Sequence, residues 1–148
     1  MRTLRINQRC NPPTSTGQAS NTILKRKDGS MFVGKKSTSK GTSVIGFWDS
    51  MLLPHQPETA FDCPLSVTII LRFPFRKSET KRNRDKIAIP HTSRPDVDNL
   101  VKILLDRIER LSFIRSDSLI SILHVEKYWH ESPGFSITIE EMITEAAR

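Results

Sequence analysis

Between residues 94 and 106 the chain reads Arg-Pro-Asp-Val-Asp-Asn-Leu-Val-Lys-Ile-Leu-Leu-Asp, which sets Asp96 and Asp98 two apart at the start of a helical pattern. At 100° per residue, Asp98, Lys102 and Asp106 fall within an arc of about 80° opposite the apolar stripe, with Asp96 at its rim. Two carboxylates this close repel, and each raises the other's pKa unless a cation or hydrogen-bond donors compensate. The helix N-terminus, the Lys102 ammonium one turn along, or a bound divalent ion could each do so. A hard-oxygen site with open positions suits Mg2+ or Mn2+, which fill their remaining positions with water and phosphate oxygens. Phosphodiester hydrolysis uses such an ion to polarise the phosphate and acidify the attacking water. Asp117, just past the helix, is the expected third carboxylate. Sharing an ion requires it within about 4–6 Å of the pair, and a wide separation would count against catalysis. The plain structural alternative makes Asp96 an N-cap worth roughly 0.5–2 kcal/mol and Asp98 a first-turn acid worth roughly 0.3–1 kcal/mol. In that reading Lys102 is a solvated i,i+4 partner of Asp98 and Asp117 caps a turn.

The elements that must position these residues are legible in the hydrophobic pattern. A helix is predicted from about Asp96 to Leu111, with Val97, Leu100, Val101, Leu104, Ile108 and Leu111 as its apolar stripe. Residues 65 to 73 alternate, with Leu65, Val67, Ile69, Leu71 and Phe73 on one face, and predict a strand. Two more strands are expected at Leu119 to Tyr128 and Phe135 to Ile139, joined as a hairpin by Ser132-Pro133-Gly134. Upstream, residues 7 to 43 read as loop and short extended pieces, with Thr22 to Leu24 and Ser30 to Val33 paired across an Asp-Gly turn. Val44, Phe47, Trp48, Met51 and Leu52 share one helical face, and Pro54 stops that helix. The pattern suits an α+β fold, a small mixed or antiparallel sheet packed with two main helices, in a single domain over residues 1–148.

The chain has 148 residues, with 23 Lys and Arg against 16 Asp and Glu, a net charge of +7. Counterion release rewards such a surface on an anionic polymer, so nucleic acid is the favoured partner class. The stretch from Arg76 to Lys86 holds six cations and two acids and reads as a long, exposed, mobile loop. Its Arg76, Lys77, Lys81, Arg82, Arg84 and Lys86 are candidate phosphate contacts, with Lys127 a further one. Lys25, Arg26, Lys27, Lys35, Lys36 and Lys40 form a possible second contact surface. Apolar runs fall short of the ~20 residues a membrane helix needs, and the first residues lack a signal-peptide pattern, so a cytosolic protein is expected. Cys10 and Cys63 read as ordinary thiols, and His55, His91, His124 and His130 show no metal-ligand spacing. Trp48 and Phe113 are expected in the core.

The run from Arg94 to Asp106, followed by Ser116-Asp117-Ser118 and by Lys127 ten residues on, resembles the RusA family of Holliday junction resolvases, common in phages and prophages. The resemblance covers residues 65 to 140 well, while residues 1 to 60 match loosely as a variable part. It implies a RusA-like, intertwined homodimer that binds four-way junction DNA and nicks two strands symmetrically with Mg2+ or Mn2+, in recombination and repair. It makes Asp96, Asp98 and Asp117 the catalytic, metal-binding carboxylates, Lys102 the catalytic lysine and Asp106 a recurrent helix acid. Phe113 would then be an alternative candidate for a wedge at the junction centre. Where the family has two adjacent acids at the turn, this chain has Ser116 and then Asp117. Neither a small-molecule cofactor nor a membrane is expected as a partner. Two other readings stay open: a non-catalytic branched-DNA-binding protein with a degenerate site, and a basic structural nucleoprotein module whose acids are helix caps.

Overall fold

A computed structural model of the chain describes residues 1–15, 20–36 and 39–144, with backbone alone for residues 20, 21, 35, 36 and 39–41. In chain order the elements are β1 (Thr3–Arg9), β2 (Ser20–Lys25), β3 (Met31–Lys36), α1 (Ser39–Leu52), β4 (Leu65–Pro74), α2 (Lys81–Arg84), β5 (Ala88–Pro90), α3 (Val97–Arg110), β6 (Ile120–His130) and β7 (Gly134–Glu141). The α+β expectation holds: a mixed five-stranded sheet runs β1-β7-β4-β6-β5, and β2 and β3 form a separate antiparallel pair. Ile23 faces Val33 across that pair, as the Asp-Gly turn predicts. Among the described residues no helix is long and apolar enough to cross a membrane.

β4 is the centre of the sheet because its sequence buries best. Leu65, Val67, Ile69, Leu71 and Phe73 are each at most 1% exposed, and they meet Phe135, Ile137 and Ile139 of β7 on the same face. Onto that face α1 lays Val44, Trp48 and Leu52, and α3 lays Leu100, Val101, Leu104 and Ile108. Trp48 stands edge-on to Phe135 with ring centroids 5.1 Å apart, and Phe113 is fully buried, so both are core residues. Arg107 ties the two helices by a two-pronged contact with Asp49 at 2.8 and 3.0 Å. Val97 departs from the predicted stripe, being 39% exposed: it begins the helix where the chain is still clear of the sheet.

Two expectations are corrected. β6 and β7 do not form a hairpin. β4 lies between them, parallel to β6 and antiparallel to β7, and Glu131 to Pro133 carry the chain across its end. A strand this apolar gains most from a neighbour on each edge, which outweighs pairing two strands that merely follow one another. The second correction concerns the amino terminus, where residues 3–9 form a strand against β7. Gly134 makes that pairing possible, since a Cβ there would lie 2.1 Å from the Gln8 carbonyl oxygen.

The parallel pairing of β4 with β6 makes everything between them a crossover, with α3 packed on the sheet. A crossover helix runs back along its strands, so α3 begins beside the carboxyl ends of β4 and β6 and finishes beside their amino ends. Its 14 residues span about 21 Å.

Candidate active site

Asp96 occupies the N-cap position of α3 with an extended backbone, but its side chain makes no capping hydrogen bond. The carboxylate is exposed and turned away from the task that the plain structural reading gives it. Asp98 follows in the first turn, and Asp98, Lys102 and Asp106 are all exposed on the face opposite the core. The ion pair on that face joins Asp106 to Arg110 at 3.9 Å, an exposed contact of little energetic weight. Thr14, Arg94, Pro95, Asp96 and Asn99 line a cleft of about 380 Å³ at the helix start. Thr14 comes from the segment that follows β1, so the loosely matching amino-terminal part reaches the site.

The turn into α3 is held from below by Lys127. Its Nζ donates to the carbonyls of Ser93 and Pro95, both at 2.7 Å, and its side chain is half-buried. Burial pulls the Lys127 pKa down, and the nearby Asp96 carboxylate partly restores it. Lys127 was expected as a DNA contact, yet the structure directs its ammonium inward as a clamp. Beside it His91 is 5% exposed, stacks on Trp129 at 3.7 Å and accepts a hydrogen bond at Nδ1 from the Ser93 amide. Burial first, then the charges of Lys127 and Arg76, lower its pKa to about 4, so the ring is neutral at pH 7. Lys127 and His91 therefore fix the same three-residue turn, 93–95, that delivers Asp96.

Asp117 is placed elsewhere. α3 ends in a Schellman motif: the Ser112 amide donates to Glu109, the Phe113 amide donates to Ile108, and Ser112 takes φ +60°. The chain then buries Phe113 and Ile114, the latter bridged to Phe61, before a 3-10 turn at Asp117–Leu119. Ser116 is the N-cap of this turn, its hydroxyl accepting from the Ser118 amide. The residue standing where the family has a first acid thus has a structural task. The Asp117 amide donates to Glu109 at 3.0 Å, which pins Asp117 to the carboxyl end of α3. Asp98 and Glu109 lie eleven residues apart on that helix, about 16 Å. Lys127, beside Asp96, is separated from the start of β6 by about 23 Å of extended strand.

One chain therefore brings Asp96, Asp98 and Lys102 to one end of α3 and Asp117 to the other. Among the described residues no group of three Asp, Glu, His or Cys side chains is gathered to hold an ion. The carboxylate set of a single chain does not fit a shared divalent ion. The expected return of Asp117 to the pair is not met within one chain, because the crossover helix carries the chain about 21 Å along the sheet before the turn that holds Asp117.

The basic stretch is folded. α2 is capped by Thr80, whose hydroxyl accepts from the Asn83 amide, and the Asn83 side chain donates to Glu79 at 2.7 Å. Arg84 donates to the carbonyls of Arg76 and Lys77, and Arg76 pairs with Glu79 and lies over Trp129. Lys77, Lys81, Arg82 and Lys86 project as exposed side chains. On the β2–β3 pair Lys25, Arg26 and Lys27 are exposed, whereas the side chains of Lys35, Lys36 and Lys40 lie outside the described ones. Cys10 and Cys63 are free thiols.

A small α+β protein with acids at the head of a crossover helix and cations around them is the class that fold and site define. The family described as Endodeoxyribonuclease RusA matches residues 16–140, and the chain belongs to it. It is also 32% identical over 93 residues to Uncharacterized protein YqaN of Bacillus subtilis (strain 168), an alignment covering 60% of this chain. The chain spans 65% of that relative's length.

Proposed function

We propose that this protein is a structure-selective DNA endonuclease that resolves four-way junctions by paired nicks, in recombination and repair. The family match over residues 16–140 carries the reading. Support from the site comes from the two exposed carboxylates, which a clamped turn presents in a cationic protein. A divalent ion, Mg2+ or Mn2+, is part of the proposal, with Asp96 and Asp98 at the head of α3 as the carboxylates that would hold it. Lys102, one turn along the same face, places a positive charge beside the pair. The exposed cations Lys77, Lys81, Arg82 and Lys86 grip the phosphates that flank the cut. Paired nicks on opposed strands need two sites related by a two-fold axis, so the working form is a homodimer.

A synthetic four-way junction incubated with the protein and Mg2+ tests the reading directly. Wild-type protein nicks opposed strands, and Asp98→Asn abolishes cleavage while still binding the junction in EDTA. Metal-dependent nicking by Asp98→Asn would sink the assignment. Binding without cleavage by the wild type would favour the non-catalytic junction-binding protein, in which Ser116 marks a degenerate site.

A further inference from the structure

The β2–β3 ribbon is held by one of its faces and leaves the other bare. Strand alternation puts Thr22, Leu24, Phe32 and Gly34 on one side, and Ile23, Lys25, Met31 and Val33 on the opposite side. On the first side a Cβ at Gly34 would lie 2.6 Å from Leu24 Cδ1, so the missing side chain is what lets Leu24 fold across the pair. The Arg26 guanidinium covers the Phe32 ring at 4.9 Å. On the second side Ile23 is 69% exposed, and Met31 and Val33 are each 71% exposed. None of the ribbon's described side chains belongs to the hydrophobic core. A two-stranded pair standing alone is marginal in water, so an apolar face left on it gains from a partner.

The chemistry around that face selects the partner. Lys25, Arg26 and Lys27 are exposed where the two strands turn. The acid among them, Asp28, is taken up by the turn itself, accepting from the Ser30 amide at 2.9 Å and the Ser30 hydroxyl at 2.6 Å. Three cations beside three uncovered apolar side chains suit a polyanion that also offers flat apolar surface, which is nucleic acid with its bases unstacked. Continuous duplex keeps its base faces stacked and offers only groove edges, whereas a branch point exposes base faces where the arms part. The root of the ribbon sets where it reaches. Thr14 lines the cleft with Asp96, and Ser20, where β2 starts, is six residues further on, a span of at most about 22 Å.

We propose that the β2–β3 ribbon is a branch-recognition arm, in which Lys25, Arg26 and Lys27 hold phosphates while Ile23, Met31 and Val33 pack against bases unstacked at the crossover. The arm supplies a preference for branched over continuous DNA. The cations of residues 77–86 do not supply it, because they meet phosphates in any duplex. For its substrate the arm rests on the junction reading above.

Gel-shift titrations in EDTA, with a four-way junction and a duplex of the same sequence, test the arm apart from cleavage. Ile23→Thr, Met31→Thr and Val33→Thr combined remove the apolar surface and keep side chains suited to a strand. Junction affinity then falls at least about tenfold and duplex affinity less than about twofold, as the loss of apolar area on three side chains implies. Thermal unfolding is unchanged, because the core is untouched. 2-Aminopurine placed beside the crossover brightens when wild type binds and stays quenched with the variant. Lys25→Gln with Lys27→Gln instead weakens junction and duplex alike and flattens the salt slope by up to about two units. Equal loss on both DNAs from the apolar variant, loss on neither, or no brightening with wild type overturns the arm. A variant that keeps its junction preference while its sedimentation changes also overturns it, and marks the face as a contact between protein chains. In each of these cases wild type still nicks the junction with Mg2+, and the endonuclease reading stands. A wild type that binds junction and duplex equally and nicks neither overturns the endonuclease reading and the arm together.

Discussion

Acidification should destabilise this protein through a single buried ring. His91 titrates near 4 in the folded chain against an ordinary 6.5, so the unfolded chain binds this proton first as pH falls. The His91 contribution is fully present above about pH 6.5 and is lost as pH drops toward 4. Between about pH 7.5 and about pH 5 the loss is about 2 kcal/mol, and the limit below both values is about 3 kcal/mol. The cost arises because a protonated Nδ1 cannot accept from the Ser93 amide, and because the charge would lie buried against Trp129 near Lys127 and Arg76. Urea unfolding followed by circular dichroism reads the effect as a fall in midpoint of about 1 M over that interval. Asp28, Glu79 and Glu126 have lowered pKa values and add their own losses at more acid pH, so the comparison with His91→Gln is the decisive one. Glutamine keeps an acceptor and removes the titration, and its midpoint should stay nearly flat over the same range. Parallel curves for wild type and His91→Gln would refute the reasoning.

Lys127→Met leaves the Ser93 and Pro95 carbonyls without their charged donor, which should cost about 1.5–3 kcal/mol per unfolding titration and reduce nicking more than junction binding. Replacing Lys81, Arg82 and Lys86 together with Ala should flatten the salt dependence of junction binding by up to about three units of slope; an unchanged slope would refute contact there. Gly134→Ala forces a Cβ onto the Gln8 carbonyl and should destabilise by about 1–3 kcal/mol, with loss of amide protection across residues 3–9 in hydrogen exchange.

The parts of the fold governed by local pattern were legible. Alternation located β4 and the 3.6-residue period located α3, because both bury one face against the same core. The amino-terminal strand escaped since only Ile6 is buried among Thr3 to Arg9, and the rest of its stability comes from backbone pairing that leaves no compositional trace. Strand neighbours were misread for β6 and β7 because sequence proximity and a Pro-Gly turn say nothing about a third strand between them. The same hidden topology separated Asp117 from the acids it was expected to join. For Lys127 a signal was present: it shares its face of β6 with Val125 and Trp129, which pack on the core, and a lysine in that row must find partners indoors.

The pairing of β1 with β7 joins the first strand to the last. Leu4 meets Ile139 across 135 positions of chain. At the ~5–20 residues per second of synthesis, the amino-terminal strand waits roughly 7 to 27 s for a partner that has not yet been made. During that interval it is an unpaired ribbon rich in arginine, a composition that resists sticking to other nascent chains. The sheet is therefore completed only once β7 has been made, and a chain cut short before residue 134 lacks the partner that both β1 and one edge of β4 require.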